Sequence, residues 1–111
     1  MRLTPLEEDR LLIFTAAELA RRHRARGLRL TAPETVALIC DAMLEAARAG
    51  AGYEAVVRAG RAAVEPGEVI EGVRALVSEI RLEVLLGDGN RLVVLVDPLG
   101  PDPDASAGPG S

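Results

Sequence analysis

The run Thr31-Ala-Pro-Glu-Thr-Val-Ala-Leu-Ile-Cys-Asp-Ala-Met-Leu-Glu-Ala-Ala-Arg-Ala-Gly50 decides how the rest of the chain must be arranged. Thr31 and Glu34 form a Thr-x-x-Glu capping box and Gly50 suits a left-handed C-terminal cap, so the run predicts a single helix. Its charges (Glu34, Asp41, Glu45, Arg48) recur on one narrow stripe. Val36, Leu38, Ile39, Cys40, Met43, Leu44 and Ala47 cover the rest of the circumference. A helix apolar over most of its surface must be enclosed from several sides, so this is the expected central helix and the flanking segments are its cover.

Upstream, Thr4-Pro5-Leu6-Glu7 is a second capping box with Pro at the first helical position, predicting a helix that runs to about Arg26 and stops at Gly27. Glu7, Glu8 and Asp9 lie at the positive end of its dipole, and Arg21, Arg22, Arg24 and Arg26 at the negative end. Leu12, Ile13, Phe14, Ala16, Ala17, Leu19 and Ala20 give it a broad apolar face, expected to pack on the central helix. Leu28-Arg29-Leu30 is too short a link for anything but antiparallel neighbours.

Downstream, Tyr53 to Ala59 predicts a short third helix ended by Gly60, and Glu65-Pro66-Gly67-Glu68 suits the first turn of a short fourth helix, Glu68 to about Leu76. The period then falls from about 3.6 to 2. Ile80, Leu82, Val84 and Leu86 alternate with Glu79, Arg81, Glu83 and Leu85, Gly87-Asp88-Gly89-Asn90 marks a turn, and Arg91 to Val96 is the return strand. The expected fold is therefore α+β: a bundle of about four helices, two long and two short, followed by a C-terminal antiparallel β-hairpin. Residues 1–99 form the domain, and residues 100–111 have the Pro/Gly/Asp/Ser composition of a disordered tail.

With 111 residues, 49% hydrophobic and 27% charged, the chain fits one small domain. One Phe and one Tyr supply all the aromatic bulk, so the core is made of aliphatic residues and many Ala, which bury little area each. Such a core favours an obligate partner. All 13 basic residues are Arg, which removes Schiff-base and carbamylated-lysine chemistry. The lone Cys40 lies in the apolar part of the central helix and reads as a buried structural thiol, excluding a disulfide framework and pointing to the cytoplasm. No apolar run approaches the roughly 20 residues of a membrane span, and the first residues carry no signal-peptide pattern.

The cluster Arg21, Arg22, His23, Arg24, Arg26 and Arg29 is the one basic patch. Nucleic-acid binding is its sharp reading, but the net charge of −4 and the lack of interleaved aromatics weigh against it. A protein-interface role for Arg21, Arg22 and Arg24 fits better. His23 is the only histidine, and its neighbours along the chain are arginines, which depress its proton affinity, so neither a multi-imidazole metal site nor a general base is expected. Gly87-Asp88-Gly89 lacks the strand-loop-helix context and the Lys of a phosphate loop. Glu79 and Glu83, with Arg81 between them, read as a strand edge. Catalytic, cofactor-binding and metal-ligating residues are all read as none.

A two-residue turn at Asp88-Gly89 would pair Leu86 with Arg91, Val84 with Val93 and Leu82 with Leu95. Ile80, Leu82, Val84, Leu86, Val93 and Leu95 would then face the helices. The opposite face carries Leu85, Leu92, Val94 and Val96, too apolar for water, and is the candidate partner interface.

The string Leu3-Thr-Pro-Leu-Glu-Glu-Asp-Arg-Leu-Leu-Ile-Phe14, with Ala16-Ala-Glu-Leu-Ala-Arg21 and Ala25-Arg-Gly-Leu-Arg-Leu30, resembles the urease gamma subunit. Pro33-Glu34, Ala37-Leu-Ile39, Glu45-Ala-Ala-Arg48, Val69-Ile-Glu-Gly-Val73, Glu79-Ile-Arg-Leu-Glu-Val84 and Asp88-Gly89 continue the match in the family's order across nearly all of residues 1–99. The resemblance implies a non-catalytic structural subunit of urease, the nickel enzyme that hydrolyses urea to ammonia and carbamate in nitrogen metabolism. It also implies beta and alpha subunits as partners in a trimer of heterotrimers, with the nickel ions held by the large alpha subunit and no cofactor in this chain. Val96 stands where the family usually has His, Thr31 where Asn is usual, Ala49 replaces Asp and Arg74 replaces Pro. These departures keep a divergent urease-like complex as the alternative, with an Arg-rich regulatory or nucleic-acid-binding module behind it.

Overall fold

The computed structural model describes residues 1–100; the expected tail beyond Gly100 lies outside the described residues. In chain order the elements are α1 (Pro5–Ala25), α2 (Ala32–Arg48), α3 (Tyr53–Ala62), a 3-10 turn (Pro66–Glu68), α4 (Val73–Leu76), β1 (Glu79–Leu86) and β2 (Gly89–Val96). Both predicted capping boxes are present. Thr4 and Thr31 each accept from the backbone N–H three residues on, and Glu7 and Glu34 each reach back to the cap residue's own N–H. Gly27 (φ 79°) and Gly50 (φ 94°) end α1 and α2 in the left-handed conformation.

Helix α2 is central as expected. It packs against α1, α3, α4 and β1, and its Leu38, Ile39, Cys40 and Met43 are buried. Its charged stripe faces water only at Glu45 and Arg48, however. Asp41, 4% exposed, accepts from Arg10 (2.9 Å) and Arg21 (3.0 Å) of α1, and Arg10 also reaches Glu45 (2.7 Å). The stripe is thus the seam between α1 and α2.

That seam overturns the expected packing of α1. Only Ala17 and Ala20 of its predicted apolar face are buried and Ile13 is half-buried, while Leu12 (68% exposed), Phe14 (41%) and Leu19 (53%) are left outside. The helix meets α2 through small residues and arginines, so its large apolar side chains point elsewhere. With each such side chain roughly half exposed, about 1 kcal/mol of burial free energy apiece is left unrealised within this chain.

Two short elements also differ from expectation. Helix α3 runs through Gly60 to Ala62. Gly60 is there for closeness rather than termination, since a Cβ on it would lie 2.8 Å from Met43 Cγ and 2.9 Å from Leu95 Cδ1. The expected fourth helix is broken in two. Val69 is extended and forms a parallel bridge with Leu30, in which the Leu30 N–H donates to Glu68 O (2.8 Å) and the Ile70 N–H to Leu30 O (2.9 Å). Gly72 (φ 91°) then starts the single turn of α4. A non-local pairing outcompetes the local helix signal of Pro66 and Glu68.

The hairpin register is shifted from the expected one. Leu86 pairs with Gly89, Val84 with Arg91, Leu82 with Val93 and Ile80 with Leu95, so Gly87-Asp88 is the turn. Gly89 carries the positive φ (117°), and neither Gly87 nor Asp88 has one. The expected turn would have required a left-handed Asp88, which costs an L-residue about 1–2 kcal/mol. Because the shift is two residues, no side chain changes face. Ile80, Val84, Leu86, Val93 and Leu95 are buried on the helices as expected.

Candidate functional site

The outer face of the hairpin is built by the pleat: odd positions of β1 and even positions of β2 point away from the helices. Leu85 (69% exposed), Leu92 (49%) and Val96 (57%) lie on it, with Val94 half-buried among them. Two clamps hold the face in place. Arg61 of α3 donates to Val96 O (3.2 Å) and Asp97 O (3.3 Å). Near the turn, Arg91 pairs with Asp88 (3.1 Å) and stacks on the Tyr53 ring at 4.9 Å. Arg81 pairs with Glu79 (3.1 Å) along the same face, leaving an apolar patch with charges at its side.

The basic end of α1 is less open than its composition suggests. Arg21 pairs with Asp41 and with Glu18 (3.1 Å), and Arg24 donates to Ala63 O (3.0 Å) and lies 3.7 Å from Glu68. Burial alone would lower the Arg21 pKa, but its bonds to Asp41 and Glu18 hold it above the usual value. Of Arg21, Arg22 and Arg24, only Arg22 is exposed and without an ion pair among the described residues.

His23 is not surrounded by arginines alone. Its Nδ1 bonds to Glu34, across the junction of α1 and α2. Burial by itself would raise the Glu34 carboxyl, but hydrogen bonds from the Thr31 backbone and from His23 and Thr31 side chains hold it below the usual carboxylate range. Cys40 is buried, and burial pushes its thiol up to about 11. Among the described residues no group of three His, Cys, Asp or Glu side chains is placed to hold a metal ion. What these groups can do is hold helices together.

Sequence reasoning missed two features. One is Asp41 as the hub of the α1–α2 seam, signalled by its place midway along the single charged stripe of an otherwise apolar helix. The other is the outward face of α1, where Leu11 (50% exposed), Leu12 and Leu19 lie beside Thr15. Its signal was the three-and-four spacing of those positions.

Comparison with known proteins finds relatives of this chain. A family profile described as "Urease, gamma subunit" matches residues 1–99. A protein of Streptomyces avermitilis named "Urease subunit gamma/beta" is 53% identical over 100 residues, covering 90% of this chain and 44% of its own length. A protein of the same name from Streptomyces coelicolor is 52% identical over 100 residues, with the same coverage. The chain therefore spans under half the length of these curated relatives. With the match running from the first helix through the hairpin, this chain belongs to the urease gamma-subunit family.

Proposed function

We propose that this chain is a non-catalytic structural subunit of a urease, contributing packing surface and no reacting group to the hydrolysis of urea to ammonia and carbamate. The observation that carries this reading is the family match over residues 1–99 at about half identity. It is supported by an outer hairpin face whose Leu85, Leu92 and Val96 are left to water by this chain's own fold. The partners are the beta and alpha subunits, in a trimer of heterotrimers. The relatives' name joins gamma with beta, which makes beta the first partner to test.

The residues present do not fit a nickel centre. The single imidazole, His23, is held by Glu34, and the chain has no Lys. The metal in this proposal belongs to the large alpha subunit. No helix among the described residues is long and apolar enough to cross a membrane. A cytoplasmic location rests on the buried free thiol of Cys40.

The test is co-expression of tagged chain with candidate beta and alpha chains, followed by affinity capture and an ammonia-release assay. The expected result is a nickel-containing ureolytic complex, with no urea hydrolysis and no stoichiometric nickel on the chain alone. Leu92→Asp places an unpaired charge in the contact and is expected to cut recovery of the larger chains by roughly tenfold with unchanged far-ultraviolet circular dichroism. Full urease activity in a complex assembled without this chain would overturn the proposal. An assembled complex that does not hydrolyse urea would favour the divergent reading that Val96 and Ala49 raise.

A further inference from the structure

Helix α1 carries a seam that is complementary to itself. Glu8, Leu12, Thr15, Leu19 and Arg22 follow one another at alternating spacings of four and three, the repeat that keeps side chains on one line along a helix. All of them are exposed, and Leu11 lies beside them, so the line faces away from α2. Thr15 sits at its middle, its hydroxyl satisfied within the helix by Leu11 O (2.8 Å). Glu8 and Arg22 lie two turns to either side.

Of the charges of α1 away from this line, five are ion-paired, Glu7 closes the N-terminal capping box, and Asp9 has no ion pair among the described residues. Arg10, Glu18, Arg21, His23 and Arg24, off the seam, all take part in ion pairs within the chain. Glu8 and Arg22, on the seam, have none among the described residues. An acid at one end, a base at the other and leucines between them is the pattern in which an antiparallel second copy satisfies every position. A two-fold axis through Thr15 sets Glu8 against Arg22 of the other copy, Leu11 against Leu19, and Thr15 against itself.

We propose that this face of α1 binds a second copy of the same chain in an antiparallel, two-fold symmetric pair. This goes beyond the subunit role and does not depend on it. A two-fold contact repeats each interaction twice, so a modest seam gives a defined dimer. One helix face is small by the standard of stable interfaces, so the pair is weak and concentration-dependent. The hairpin face is not used and stays open to other chains.

Sedimentation of the full chain from micromolar to near-millimolar concentration is expected to show a rise from 11.7 kDa towards twice that mass. Glu8→Arg and Arg22→Glu are each expected to raise the dissociation constant roughly tenfold, and the double reversal to restore it, because both partners of each pair are then exchanged. Leu19 is already outside the core, so Leu19→Asp should fold normally and remain a monomer. The register has its own test. Thr15→Cys is expected to cross-link two copies on mild oxidation and Glu8→Cys to give none, since only position 15 meets itself. A monomer throughout the range, or a dimer indifferent to Leu19→Asp and to both charge reversals, would overturn the proposal. So would a wild-type monomer whose Leu19→Asp variant fails to co-purify with larger chains, which would give this face to a different partner. Loss of the dimer with urease assembly intact would leave the subunit reading standing.

Discussion

Asp41 shows how one side chain can set the position of a helix. Nearly all of it is buried, yet both its oxygens are satisfied, by Arg10 and Arg21, and no buried side-chain polar atom among the described residues lacks a partner. Removing a fully buried partner typically costs 3–5 kcal/mol. Here the arginines are about a third exposed and can turn to water, so Asp41→Ala is expected to destabilise the chain by about 2–3 kcal/mol in urea unfolding. Glu34 gives a pH dependence with a definite sign. Its folded pKa lies below the unfolded value, so its contribution is present above the ordinary carboxylate range near pH 4.3 and is lost as the pH falls through the folded value. The stability gap between wild type and Glu34→Gln should accordingly narrow as unfolding is measured from pH 7 down to about pH 3. Cys40, with its pKa near 11, should resist iodoacetamide at pH 8 in the folded chain and react at the rate of a free thiol once unfolded in urea.

Among the elements, the long helices were legible because their stop and start signals are local: a Thr-x-x-Glu box and a left-handed glycine need no distant partner. The short ones were not. Gly60 reads as a helix stop from composition, but its role is set by Met43 and Leu95, which no local pattern reveals. Gly60→Ala gains about 1 kcal/mol of helix propensity and meets an overpacking cost of about 1–3 kcal/mol. A net loss of about 1 kcal/mol, seen as a lower Tm, is expected because Met43 is itself fully buried and has little room to yield. The hairpin faces survived a wrong turn assignment because the error was an even number of residues. The apolar face of α1 failed for a different reason. Periodicity says that a helix has apolar sides, and cannot say which of them its own chain covers.

The whole molecule, seen this way, is a helical core with two apolar surfaces left open, one on the hairpin and one on α1. The candidate hairpin surface was legible because alternation in strands places every side chain on one of two faces. The α1 surface was not, because its exposure follows from the Asp41 seam. The bridge between Leu30 and Val69 adds a different property. It ties the start of α2 to the segment after α3, so those two helices lie inside a closed loop of backbone while α1 lies outside it. Opening that loop breaks two hydrogen bonds at a site where Leu30 is fully buried, whereas α1 is fastened from outside it by side chains, through Asp41, Glu34 and the Arg24 bond to Ala63 O. In deuterium exchange, the amides of Leu30 and Ile70 should therefore fall in the slowest class, released only with the entire fold, and those of α1 should exchange earlier as a unit. The centre is thus closed by the chain's own backbone, while α1 is fastened to it, among the described residues, by side chains alone.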